Sequence, residues 1–167
     1  MDSQTIANCV CVALRSHDGR YYLAPRSNTK DQRGVLAFPG GDGEPGAPPR
    51  KDAARELFEE TNLVPEFRRL TFLKTLGPLP RTTSQGEAWY RSHLFTLTLQ
   101  AGELPHQKEP HKLGPWSLYS PEQILNLPDA AVLPGTKTAV RMTENLIRFQ
   151  NQIHQQPHQE QHFALAR

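Results

Sequence analysis

Glu56, Glu59 and Glu60 stand close together downstream of a double glycine, Gly40-Gly41, which itself ends an apolar run, Val35-Leu36-Ala37-Phe38-Pro39. Placed on a helix from Arg50 to Thr61 at about 100° per residue, the three carboxylates fall within about 100° of one another, on one face. Ala53, Ala54, Leu57 and Phe58 take the adjoining face, which is expected to pack on a core. Like charges at this spacing repel, and the Glu56/Glu60 pair alone weakens an isolated helix by a few tenths of a kcal/mol. A bound cation removes that cost, so the cluster reads as a divalent-metal site. An acidic run on a helix is otherwise a solvated face. The upstream residues favour the metal: the glycines permit the unusual backbone of a turn and close ligand approach, and Pro48-Pro49 suits a loop end and a first helical turn. Arg55 reaches Glu59 at i+4 and can fix the direction of its carboxylate.

In these residues the chain resembles the Nudix hydrolases, whose signature is G-x5-E-x7-R-E-U-x-E-E-x-G-U, with U a bulky aliphatic residue. Gly41, Arg55, Glu56, Leu57, Glu59, Glu60 and Leu63 fall in register. Two positions depart from the pattern: Ala47 replaces the first Glu and Asn62 the late Gly. Asn tolerates the left-handed conformation, so Asn62 is expected to keep the helix stop. Ala47 removes a carboxylate that in the family supports the loop and helix, and Glu44 is the residue placed to compensate in part. The resemblance implies an α/β fold, an α/β/α sandwich around a central mixed sheet. It implies Mg²⁺ or Mn²⁺ held by Glu56, Glu59, Glu60 and the Gly40 carbonyl, the oxygen donors that a hard ion prefers. Glu56 is expected to serve as base and ligand, Glu60 as the firmest ligand, and Glu59 and Arg55 to complete the catalytic set, with Arg55 orienting the glutamates. Around them, Gly41 and Phe38 are candidate substrate contacts and Arg26 a candidate phosphate clamp.

A second segment, Glu109-Pro110-His111-Lys112 with Trp116 beyond it, resembles the E-P-x-K-x3-W segment of the MutT-like nucleoside triphosphate branch. By that resemblance Glu109 is a further ligand or base, and Trp116 a packing residue. The expected substrate is then a nucleoside triphosphate, cleaved to the monophosphate and pyrophosphate, an activity that clears unwanted nucleotides. The alternative is ADP-ribose or another nucleoside diphosphate sugar, because Pro78 lies near the spacing of a proline in Nudix members that cleave ADP-ribose. A further alternative, which Ala47 alone supports, is an inactive ligand-binding or regulatory module. Trp89, Tyr90, Phe38 and Leu36 are candidate base-pocket walls, each more often explained by burial in strands.

The rest of the chain must position these groups. Its 167 residues suffice for one sizeable core, and the expected organisation is one domain over 1–153 with a disordered Gln- and His-rich tail over 154–167. His154, His158 and His162 recur every four residues, but Pro157 interrupts a helical ladder. A net charge of +2 argues against a nucleic-acid surface, no stretch reaches the length of a membrane span, and the expected compartment is the cytoplasm. Cys9 and Cys11 point to one face of a strand and read as free thiols. A homodimer is compatible with the family, and no residue requires one. Expected strands run Thr5 to Leu14 and Tyr21 to Pro25, turned at His17-Asp18-Gly19-Arg20. Glu66 to Leu76 follows, broken by Gly77-Pro78-Leu79-Pro80 and a polar loop from Arg81 to Glu87; then come Ala88 to Leu99 and Trp116 to Tyr119. Ser120-Pro121-Glu122-Gln123 caps a short helix, and Thr136 to about Ile153 forms a longer one with Ala139, Met142, Leu146 and Phe149 at core spacing.

Overall fold

The computed structural model of the chain describes residues 6–27, 32–83 and 86–155. The tail beyond Gln155, with His158 and His162, lies outside the described residues, as does Thr5 at the expected start of the first strand. Strands β1 (Ala7–Arg15) and β2 (Tyr21–Pro25) form the expected hairpin. Its turn is closed by Ser16 N–H to Arg20 O at 2.7 Å, and the Ser16 hydroxyl donates to Asp18 and to Arg20 O. The short β3 (Leu36–Ala37) pairs with β2, and β4 (Gly40–Asp42) runs antiparallel to β1. Helix α1 (Pro49–Thr61) is followed by a 3-10 turn, Phe67–Arg69, and by the long hairpin β5 (Thr71–Thr83) and β6 (Gly86–Thr98). β7 (Ser117–Tyr119), α2 (Pro121–Asn126), a second 3-10 turn and α3 (Thr136–Gln155) are the last elements of the described residues.

The strand order is β3-β2-β1-β6-β5, with β4 also paired to β1 and β7 to β2. β1 and β6 are parallel, while the other pairings are antiparallel, which makes the sheet mixed. The alternation along β1 and β6 sorts the core. Val10, Val12 and Leu14 with Phe95, Leu97 and Leu99 face α1 through Ala53 and Leu57. Ala13, Leu23 and Leu94 face α2 and α3 through Ile124, Ala139 and Val140. Helices thus cover both faces, giving the expected α/β/α sandwich. Leu57 is fully buried, a burial that contributes about 1.5–3 kcal/mol. No helix among the described residues is long and apolar enough to cross a membrane.

Four local expectations are corrected. Gly77-Pro78-Leu79-Pro80 does not end its strand: β5 runs through it, and a register shift between Leu76 and Leu79 absorbs the extra residues as a bulge. Gly77 at φ +112° allows this, since a Cβ there would lie 2.7 Å from Tyr90 O. β5 is the edge strand, where a proline's missing N–H costs no ladder bond. The expected polar loop after it is largely hairpin, with Arg81 paired to Ala88. Phe58 is 43 % exposed instead of buried, and lies beneath the Lys108 ammonium, 4.0 Å from the ring centre. Phe149 is 60 % exposed, because the buried residues of α3 end at Thr143 and the helix continues beyond them. His154 lies in this last stretch, its ring Nδ1 2.7 Å from Gln150 O.

Cys9 and Cys11 are free thiols. Burial pushes both up to about 12, helped at Cys9 by its hydrogen bond to Asp42. The thiolate, which is the reactive form, is therefore scarce at neutral pH. Ellman's reagent at pH 7.5 is expected to label the native protein slowly and to titrate both thiols promptly after denaturation; prompt labelling of the native protein would contradict the burial.

Candidate active site

The double glycine is not a turn. Gly40 and Gly41 lie in β4, opposite Cys11 and Val10 of β1, and neither has a positive φ. Their smallness serves space instead. A Cβ on Gly40 would sit 2.2 Å from Val10 O, and one on Gly41 would sit 2.6 Å from the Glu56 carboxylate carbon. The first glycine lets β4 press against β1; the second lets a carboxylate lie on the strand.

That carboxylate is delivered by α1. Pro48 and Pro49 open the helix as expected, and Asn62 closes it at φ 61°, its N–H donating to Phe58 O. Glu56 and Glu60, one turn apart, are 5 % and 4 % exposed, and Glu60 Oε2 accepts the Gly40 N–H at 2.9 Å. Burial pushes the Glu60 carboxyl up to about 8, with repulsion from Glu56 and Glu109 adding to it; the Gly40 N–H and Lys112 act the other way. Glu56 is also raised by burial, against the pull of Arg55. Two acids are thus held out of water near each other, Glu56 with Arg55 beside it and Glu60 without an ion pair of its own among the described residues.

Arg55 is the hub of the remaining contacts. Its Nη1 donates to Glu56 Oε1 at 2.8 Å and to Glu59 Oε2 at 3.1 Å, and its Nη2 to Asp42 O at 2.9 Å. Glu44 Oε1 lies 3.6 Å from Arg55 Nε, with its side chain exposed. Glu59, with its side chain 41 % exposed, sits at the outer edge of the cluster.

Glu109 arrives on a later loop, between β6 and β7. The preceding loop is tied to the end of α1 by His106 N–H to Thr61 O at 2.8 Å and Lys108 N–H to Glu60 O at 3.4 Å. Glu109 forms a close ion pair with Lys112, at 2.8 Å, without hydrogen-bond alignment. Its charge is felt at Glu60. Arg26 follows β2, bridges to Leu113, and lowers the Asp42 carboxyl along with the closer Arg81. Phe38 is the candidate that this cluster does not include: it is 4 % exposed and packs on Tyr21 in the core, with ring centres 5.9 Å apart. Trp116 packs against the core, as expected, and Trp89 is 38 % exposed.

Two participants were not anticipated. Asp52 is 2 % exposed and contacts both Arg55 and the loop before α1. Arg81 donates to Asp42 at 2.7 Å, tying the β5–β6 hairpin to β4. The spacing of Asp52 from Arg55, i to i+3 on a helix, was the one available sign.

Among the described residues, no three His, Cys, Asp or Glu side chains form a ready-made metal cage. A hard ion such as Mg²⁺ does not require one. It keeps several waters and is held by one or two carboxylates together with substrate phosphates. Glu56 and Glu60, buried, crowded and raised, offer the carboxylate oxygens that such an ion takes.

The Glu60 shift also fixes a sign. Its folded value, about 8, lies above the ordinary 4.5, so between these pH values the folded state binds the extra proton, and stability falls as pH rises. In EDTA, the urea midpoint of the wild type is expected to drop more between pH 5.5 and 8 than that of Glu60→Gln; equal drops would contradict the crowding.

The NUDIX domain profile matches residues 5–139. No curated protein matches the chain. Among solved structures, the chain is similar to a MutT Nudix hydrolase from Burkholderia pseudomallei, at 20 % identity and TM-score 0.65, covering 83 % of this chain and 98 % of that one. It is similar to the Nudix domain of Shewanella oneidensis NrtR complexed with ADP ribose, at 18 % identity and TM-score 0.63, covering 88 % and 94 %. A C. elegans Ap4A hydrolase in a binary complex is similar at 16 % identity and TM-score 0.59, covering 86 % and 99 %. At these identities the likeness concerns the fold. The profile, spanning the strand, the glycines and the acidic helix together, settles the family: the chain belongs to the Nudix hydrolases, which act on phosphoanhydride bonds.

Proposed function

We propose that the protein hydrolyses a nucleoside or deoxynucleoside triphosphate to the monophosphate and pyrophosphate, with Mg²⁺ or Mn²⁺ as cofactor. The observation that carries this reading is the pairing of two buried, mutually repelling carboxylates, Glu56 and Glu60, with a Glu109 loop fastened to the end of their helix. That loop belongs to the segment resembling the triphosphate branch, and its acid acts on Glu60.

Glu60 and Glu56 would hold the cation, with Glu109, Glu59 and the Gly40 carbonyl as further donors. When bound, the ion neutralises phosphate charge and acidifies a water. Glu56 takes the proton of the attacking water, a role that its raised carboxyl suits. Arg55 keeps Glu56 and Glu59 aimed, and Arg26 engages the phosphate chain. Gly41 leaves the Glu56 carboxylate room on the strand.

ADP-ribose remains the competing substrate class, in keeping with the ligand of the Shewanella domain. Pro78, its support in the sequence, sits in the β5 bulge, which accounts for it locally. Product analysis over a nucleotide panel with Mg²⁺ tests the proposal. Pyrophosphate and monophosphate from a triphosphate support it, and AMP with ribose phosphate from ADP-ribose alone would replace it. Hydrolysis of nothing in the panel would favour a binding module.

A further inference from the structure

Asp52 is a third buried acid of α1, four residues before Glu56 and eight before Glu60, and none of the roles above uses it. Taking a carboxylate out of water is costly unless its partners are well placed. Its Oδ1 accepts the Glu44 N–H at 3.2 Å and lies 3.4 Å from Arg55 Nη2. Its Oδ2 occupies the space beside Gly43, where a Cβ would lie 2.8 Å away. Gly43 N–H in turn donates to Asn8 O at 2.7 Å, so the loop that receives Asp52 is pinned to β1. Asp52 therefore holds two things at once, the loop from β4 to α1 and the guanidinium that grips Glu56.

This matters because Ala47, in the same loop, carries no carboxylate. Glu44 reaches Arg55 only at 3.6 Å, with its side chain 61 % exposed, where water weakens the pairing. We infer that Asp52 is a positioning residue, which fixes Arg55 and through it the direction of the Glu56 carboxylate, supplying from inside the helix the anchor that Ala47 cannot. The inference rests on the cation-dependent reading above.

The test is Mn²⁺ binding followed by electron paramagnetic resonance without nucleotide, with melting temperature and initial triphosphate hydrolysis rates beside it. Asp52→Asn keeps an oxygen for the Glu44 N–H and removes the charge facing Arg55. It is expected to melt near the wild type, to bind Mn²⁺ about 10-fold more weakly or worse, and to lose about 10- to 100-fold in kcat with KM little changed. Asp52→Glu is expected to restore part of both losses. In an Arg55→Gln background Asp52→Asn is expected to cost no further affinity, because the two act as one unit. If Asp52→Asn does not fold, Asp52→Ala with Gly43→Ala, which refills the vacated space, is read in the same way. Wild-type Mn²⁺ affinity in the folded variant, or an equal loss with Arg55→Gln present, overturns the role of Asp52. A wild type that binds no Mn²⁺ overturns the cation-dependent reading itself.

Discussion

Glu60→Gln is expected to lower kcat by about 10²-fold or more at saturating Mg²⁺ and nucleotide, the loss that follows when a cation-held water is no longer activated. The fold should survive, since the amide oxygen of Gln can still accept the Gly40 N–H that Glu60 Oε2 now takes at 2.9 Å. What disappears is a charge that is 4 % exposed and crowded by Glu56 and Glu109. Removing it should leave the metal-free protein as stable as the wild type or more so above neutral pH, a trade of stability for function common at active sites. Steady-state kinetics and thermal melts on the same preparations check both halves. A variant with most of the wild-type turnover would contradict the role assigned to Glu60.

The second large effect separates two adjacent glycines. Gly40→Ala drives a Cβ to 2.2 Å from backbone Val10 O and 3.0 Å from Cys11 Cα, and neither can move without opening the β1–β4 pairing. It is expected to cost about 3 kcal/mol or more of stability. Gly41→Ala meets first the end of the Glu56 side chain, at 2.6 to 2.7 Å, which can rotate away. It should therefore fold and yet lose about 10²-fold in kcat, the scale of a misplacement of roughly 1 Å. Urea unfolding together with kinetics distinguishes them. Equal stability losses in the two variants, or full activity in Gly41→Ala, would mean that Glu56 does not lie over β4 as described.

These glycines also show how far the sequence was legible. Their importance was visible, but neither has a positive φ, and what approaches them closely is β1 and the Glu56 carboxylate, neighbours that a long-range strand pairing and a later helix bring in. Helical periodicity sufficed for Glu56, Glu59, Glu60 and Arg55, since one local element carries all four. Proline at the start of α1 and Asn62 at its end were equally local, as was the Ser120/Gln123 capping box of α2. Leu94 and Phe95 were sorted to opposite faces by simple alternation. Where the chain folds back on itself, the sequence says less. Phe58 has the type and spacing of a core residue, yet it is largely exposed, with the ammonium of Lys108 from a later loop over its ring. Phe149 keeps the spacing of a core stripe, yet the buried residues of α3 end at Thr143. Asp52 resembles any acid in a first helical turn, favourable to the helix dipole, and its burial depends on a loop that bends onto it. Glu109 came from a motif resemblance, and its relation to Glu60 depends on backbone bonds across the end of α1.

The whole account depends on a cation engaging Glu56 and Glu60 to drive phosphoanhydride cleavage. The most direct test is the initial rate of triphosphate hydrolysis by metal-stripped protein as Mg²⁺ is titrated in, for the wild type and Glu60→Gln side by side. The predicted result is a silent wild type in EDTA whose rate rises to saturation with Mg²⁺, and a Glu60→Gln variant that stays at least about 10²-fold below it throughout. A wild-type rate indifferent to EDTA, or two coincident titration curves, would contradict it.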